Sequence, residues 1–258
     1  MSIHQLMFAN YGHPLIVVDG GDFDGTNDYM TRGAGLTDAA DSKQFTFAAW
    51  VRLDGGDGAA GTLLSSTTTV GGATTKLLIL RAASNVFGAI ANNSAGTQIL
   101  SIGTTGTYTA SATWLHVLMS FDLSDTAKRF IYINDVDDTT GSPTTYTDDT
   151  MDMTAADWGC GGFPSGGNKL NGCLAEVWFT PGLYLDLSNV YWRRKFISAS
   201  GKPVHLGTTG ALPTGTAPLI YHHLDDAEAV ANLATNRGTG GDFAITGTLV
   251  TADSSPSD

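Results

Sequence analysis

Apolar and polar residues alternate at period two along much of this chain. The alternation is clearest in Gln44-Phe-Thr-Phe-Ala-Ala-Trp-Val-Arg-Leu53, where Phe45, Phe47, Ala49, Val51 and Leu53 share one face. Trp50 falls on the other face, so the strand is expected to be covered on both sides for part of its length. Trp114-Leu-His-Val-Leu-Met-Ser-Phe-Asp122 repeats the pattern, with Leu115, Val117, Met119 and Phe121 inward and Trp114, His116, Leu118 and Ser120 outward. Its expected partner is Lys128-Arg-Phe-Ile-Tyr-Ile-Asn134, closed by Asn134-Asp135. Shorter strands are predicted at 62–65, 76–81, 86–91 and 97–102, separated by turn signals such as Gly71-Gly72 and Asn92-Asn-Ser-Ala-Gly96.

Trp158 to Phe179 reads as two strands around the Gly-rich stretch at Gly166-Gly167. A simple hairpin would bring Cys160 and Cys173 opposite each other, which makes a disulfide geometrically conceivable; two reduced, buried thiols are the plainer expectation. One helix is predicted over 188–198, capped by Asp186 or Ser188 and stopped by Gly201 and Pro203. Leu219-Ile-Tyr-His-His-Leu224 is a further strand, and 243–249 another. Residues 1–19 read as an arm or edge strand, with β character at Leu15 to Val18. Residues 20–250 read as one sandwich, and 251–258 as a polar tail that frays.

Composition supports the all-β pattern. Only 15% of the 258 residues are charged, and 32 are Gly, which favours short strands and tight turns over long helices. Two of the 25 acids are Glu (Glu176 and Glu228) and the other 23 are Asp, so most of the net charge of -12 is loop charge. That balance argues against a nucleic-acid groove or an anionic membrane surface. No apolar run reaches the roughly 20 residues a spanning helix requires. The first residues lack the pattern of a secretory signal, so synthesis in the cytoplasm is expected.

The candidate chemistry is sparse. Asp54-Gly-Gly-Asp-Gly-Ala-Ala-Gly61 could be a calcium loop, but its spacing is not that of an EF-hand and turn chemistry explains its acids. His116 has no second ligand at metal spacing. His222 and His223 are adjacent on a strand and so point to opposite faces, leaving no shared ion even with Asp225-Asp226 beside them. A sandwich glycosidase requires two carboxylates flanking the scissile bond, and Glu176 stands without an acid at 174 or 178. No nucleophile elbow or phosphate loop is present. No catalytic residue, metal site or cofactor is therefore assigned. Sugar binding needs only an aromatic platform and a few polar groups, and Tyr146, Trp158 and Phe163 are the candidates.

Phe23-Asp-Gly-Thr-Asn-Asp-Tyr29, Phe45 to Val51, Trp114-Leu-His-Val with Tyr132-Ile-Asn134, and Leu170-Asn-Gly-Cys-Leu-Ala-Glu-Val177 together resemble the concanavalin A-like, laminin G-like jelly rolls. The resemblance implies a sandwich of two antiparallel sheets. Within it, Asp24, Asn27 and Asp28 are turn and strand-end hydrogen-bonding groups rather than ligands. The C-terminal stretches Arg193-Arg-Lys-Phe-Ile, Gly201-Lys-Pro-Val-His-Leu-Gly207, Pro213 to Pro218 and Ser254-Ser-Pro-Ser-Asp258 resemble jelly-roll proteins of tailed bacteriophages. That likeness implies a non-enzymatic virion protein on the particle surface: a homo-oligomeric capsid decoration bound to the major capsid protein or other virion proteins, and able to hold glycans. A tail-associated receptor-binding lectin and a polysaccharide-degrading hydrolase are the alternatives. In many laminin G-like domains a segment like 219–225 precedes the Phe-Asp-Gly motif, whereas here it follows. A circular permutation is therefore expected, with 219–224 beside the strand near residue 29.

Overall fold

A computed structural model describes residues 17–66, 76–226 and 228–258. Apart from a four-residue α-helix and one short 3-10 helix, its regular structure is β, and no helix among the described residues is long and apolar enough to cross a membrane. Two antiparallel eight-stranded sheets face one another, as expected of the jelly roll. The first runs in spatial order Val136–Asp137, Arg129–Ile133, Ser111–Asp122, Gln44–Leu53, Asn171–Pro181, Gly21–Asp24 and Val250–Thr251, and Ile220–His222 also pairs with Asn171–Pro181. The second runs Thr145–Tyr146, Gln98–Gly103, Phe87–Asn92, Leu77–Arg81, Gly61–Ser65, Trp158–Cys160, Tyr29–Arg32 and Ala244–Thr246.

The period-two pattern becomes the core. Phe45, Phe47, Ala49, Val51 and Leu53 pack with Val117, Met119 and Phe121 from the first sheet against Leu77, Ile79, Phe87, Ala89 and Leu100 from the second. Gln44–Leu53 lies antiparallel to Ser111–Asp122, with Phe45 opposite Phe121 and Trp50 opposite His116. The turn Asn134-Asp135 has both residues at positive φ (50° and 68°), the two-residue hairpin geometry that Asn and Asp tolerate.

The outer face of the first sheet carries a third layer, which explains why its strands are apolar on both sides. Leu185, Leu187, Phe196, Val204 and Leu206 cover Ala48, Leu118, Trp178 and Tyr221. The layer is tied down by Thr46 Oγ1 donating to the Leu183 carbonyl (2.9 Å), by Trp178 Nε1 donating to Gly210 O (2.8 Å), and by Arg193 and Arg194 on Asp135. A second cover, from the C-terminal end, lies over Trp50, Trp114, Cys173 and Ala175.

Several expectations are corrected. Trp158–Cys160 and Asn171–Pro181 are not a hairpin: they lie in different sheets, and the Gly-rich stretch crosses between them. Cys160 faces the core while Cys173 faces the outer cover, so both remain free, buried thiols. The helix is confined to Val190–Arg193 and is capped by Asn189, whose side chain accepts from Tyr191 N; an isolated bridge between Ile197 and Pro203 ends the segment as extended chain. The permuted strand is part of the sandwich, but Ile220–His222 pairs with Val177 to Phe179, and Ala244–Thr246 takes the place beside Tyr29–Arg32. The 251–258 tail does not fray. Ala252 N donates to Gly20 O, Ser255 Oγ to Val18 O, and Ser257 Oγ accepts from Val18 N. The expected 1–19 arm lies, up to residue 16, outside the described residues.

Candidate functional site: a groove on the outer face of the first sheet

Both covers reach the Trp50 and Trp114 patch, Ile197 from the first and Ala252 from the second. Between Ser200, Gly201 and Lys202 on one side and Ser254, Ser255, Pro256 and Asp258 on the other lies a groove of about 460 Å³. Trp50, Trp114 and Asn134 also line it. A second recess of about 370 Å³ continues past Ala112 and Ser254, two residues it shares with the first, to Arg52, Asp54 and Asp253.

Each lining group is placed by the fold. Trp114 and Trp50 project outward because their strand neighbours Leu115 and Val51 project inward. Trp114 keeps 9% of its surface exposed and Trp50 3%, so the floor is a narrow strip of indole. The Trp114 Nε1–H donates to Ser254 Oγ (3.2 Å), and the Arg52 guanidinium lies 5.8 Å from the Trp114 ring centre. Asn134 is fixed by accepting the His116 N–H on Oδ1 (2.8 Å). Lys202 carries no carboxylate partner among the described residues. Arg52 is engaged through four of its five N–H groups: Nε and Nη2 donate to the two oxygens of Asp54 (2.8 and 2.9 Å), and Nη1 to Asp253 and Ser254.

Asp22, Asp54 and Cys173 bring three donor atoms within 4.8 Å of one another and are the one such group among the described residues. The chemistry fits a cation poorly. Burial, with Asp54 nearby, pushes the Cys173 thiol well above its ordinary pKa, so it stays protonated, and it donates to Asp54 Oδ2 (3.3 Å). Arg52 already supplies the positive charge to Asp54. In the 54–61 loop the acid Asp57 is likewise already engaged. Buried Arg81 clamps the loop through Asp57 (2.7 Å) and the carbonyls of Gly55 and Gly56, and Asp57 also accepts from Ala110 N.

The sequence-based sugar contacts are not brought together. Trp158 is fully buried in the core against Phe179 (5.6 Å), and Phe163 is buried against Leu78 and Leu80 outside the second sheet; neither offers a face to a ligand. Tyr146 sits at the edge of the second sheet, half-buried, with its hydroxyl 3.0 and 2.9 Å from the carbonyls of Asp122 and Lys128. The Phe-Asp-Gly turn is self-contained, as expected. Asp24 Oδ1 accepts from the backbone of Thr26, Asn27 and Asp28, and buried Asp28 accepts from Thr248 N (2.6 Å).

Glu176 is not alone, which sequence reasoning missed. Two residues, Glu176 and Val177, oppose Ala49 in a β-bulge, and Glu176 takes a left-handed φ of 52°. The bulge turns its carboxylate outward, where it is 3% exposed, accepts from Tyr221 OH (3.0 Å) and meets His223 Nδ1. His223 Nε2 reaches Asp225 (2.8 Å), and Arg237 bridges Asp225 and Glu228. Burial disfavours the His223 cation, but the bonds to Glu176 and Asp225 outweigh it and raise its pKa. Buried at Glu176, Tyr221 and His223 and open to solvent at Asp225, this chain of groups holds Ile220–His222 to the bulged strand. His116 and His222 are both buried as neutral imidazoles, lowered to about 3 and about 4 by loss of water.

No curated protein sequence matches this chain. Among solved structures, a "putative carbohydrate binding protein" from Bacteroides ovatus superposes with a TM-score of 0.61 at 16% identity, over 94% of this chain and 62% of its own, so the chain spans under two thirds of that protein. A heptameric SAP-like pentraxin from Limulus polyphemus superposes at 0.53 with 12% identity, over 91% of this chain and 94% of its own. At these identities the likeness is one of fold. Residues 24–182 match the model of a single family, well over half of the 258, and the chain belongs to the concanavalin A-like lectin/glucanases superfamily.

Proposed function

We propose that this protein is a non-catalytic, lectin-like module that binds carbohydrate in the groove between residues 200–202 and 254–258. The observation that carries this reading is the juxtaposition of the Trp114 indole edge with Asn134, Ser200, Lys202 and Asp258 on the outer face of a lectin-superfamily sheet. An apolar ring edge beside groups that donate and accept hydrogen bonds suits the alternating C–H and O–H faces of a sugar. The printed description of the Bacteroides protein agrees with it. Non-catalysis is supported by the state of the acids. Asp54 and Asp253 are held by Arg52, Asp258 accepts from Ser255 N (2.7 Å), and Glu176 is buried.

The test is a glycan array probed with the wild type and with Ala112→Trp, which places an indole in the groove from an exposed position and leaves the core intact. The reading expects binding by the wild type and its loss in the variant; equal binding by both would place the site elsewhere. Cleavage of a polysaccharide that Glu176→Gln abolishes would instead establish the hydrolase alternative.

The finer reading, a homo-oligomeric decoration or tail-associated protein on a phage particle in contact with capsid or other virion proteins, is supported by the resemblance of the 193–218 and 254–258 stretches. Mass spectrometry of purified particles tests it: the chain in stoichiometric copy number supports it, and absence from the particle rejects it.

A further inference from the structure

The groove's charge selects among sugars. This inference rests on the lectin reading above and concerns what the same site accepts. Four of the five Arg52 guanidinium N–H groups are taken by Asp54, Asp253 and Ser254, and its charge is matched by the two carboxylates. Lys202 is the cation here with no carboxylate partner among the described residues; it lines the groove with Asp258, and the adjoining recess adds Arg52, Asp54 and Asp253, on a chain of net charge -12. Over groove and recess together, two cations against three acids leave the lining net negative. A carboxylate or sulfate entering it is repelled by the local groups and by the field of the whole chain. The free hydrogen-bonding capacity is instead of the kind sugar hydroxyls satisfy, comprising the Asn134 amide, the Ser200 hydroxyl and the carboxylate of Asp258.

We infer that the groove takes neutral, hydroxyl-rich oligosaccharides and turns away uronate, sulfated and sialylated ones. Net repulsion across a solvated rim at a separation of several ångströms is worth about tenfold in affinity. Because it acts through water it weakens as salt rises.

Titration calorimetry at low and high ionic strength tests this with two arms. One holds neutral gluco-, manno- and galacto-oligosaccharides; the other holds oligogalacturonate, a heparin fragment and sialyllactose. The expected result is binding in the neutral arm and affinity weaker by about tenfold or more in the acidic arm. The gap narrows with salt and with Asp258→Asn, which can still accept from Ser255 N. Equal or tighter binding in the acidic arm, lost in Lys202→Ala, overturns the inference and leaves the lectin reading standing. No binding in either arm rejects the lectin reading, and the inference with it.

Discussion

His222 gives the sharpest test of how the C-terminal strand is built into the core. It is 0% exposed, with its ring edge-on to Phe243 at 4.6 Å, and neither ring nitrogen has a hydrogen bond of ordinary geometry; a weak contact with the Leu233 backbone does not offset the loss of water. Its pKa is lowered from 6.5 to about 4, mainly by burial and despite the charge of Asp242. Because the folded-state pKa is depressed, the contribution to stability is fully present above pH 6.5 and is lost as pH falls towards 4. Between pH 7 and pH 5 the unfolded chain takes up a proton that the folded one refuses, and wild type loses about 2 kcal/mol from this residue alone. His222→Leu, of similar volume and with no hydrogen bond to lose, should be within about 1 kcal/mol of wild type at pH 7. It should fall behind wild type no further on acidification, and should gain about 2 kcal/mol relative to it by pH 5. His223 titrates in the opposite sense, its raised pKa adding stability below 6.5, but it is common to both proteins and cancels in the comparison. Urea unfolding followed by tryptophan fluorescence at pH 7 and pH 5 reads the difference. Parallel pH slopes for the two proteins would refute the reasoning.

Glu176→Ala removes the carboxylate that satisfies Tyr221 and His223 in a buried setting, and should cost about 3–5 kcal/mol in urea unfolding. Gly172 has φ 151°, and a Cβ there would lie 2.1 Å from the Arg52 carbonyl oxygen across the strand pair; Gly172→Ala should lower the melting temperature sharply, with about 3 kcal/mol or more lost. Burial pushes the Cys160 thiol up to about 12, and Cys173 higher still, so neither should react with a thiol reagent in the native state and both should react in denaturant. A count of zero in denaturant would mean a disulfide.

The strands were legible because their information is local. Phe45 to Leu53 and Leu115 to Phe121 carry their inward face in the sequence itself, and Asn134-Asp135 names its own turn. Sheet membership is not local. Trp158–Cys160 and Asn171–Pro181 read as a hairpin because nothing between them marks a crossing; the crossing depends on Gly161 (φ 72°), where a Cβ would strike the Phe23 ring at 2.3 Å. The bulge at Glu176 did leave a trace. The inward alternation runs Leu174, then Val177 and Phe179, slipping phase by one, and that slip marks an inserted residue. Its partner His223 lies 47 positions away and could not be paired with it from spacing. The groove was least visible. Trp114 and Ser254, which meet across it, are 140 residues apart, and the tail that forms one wall has the composition of a frayed end.

The most direct measurement of the central claim is a crystal structure of the protein soaked with an oligosaccharide that it binds in solution. The account predicts sugar density over the Trp114 edge, between Lys202 and Asp258, with hydroxyls in contact with Asn134. Sugar density confined to any other surface, such as the recess lined by Asp41, Thr180 and Thr216, would contradict it.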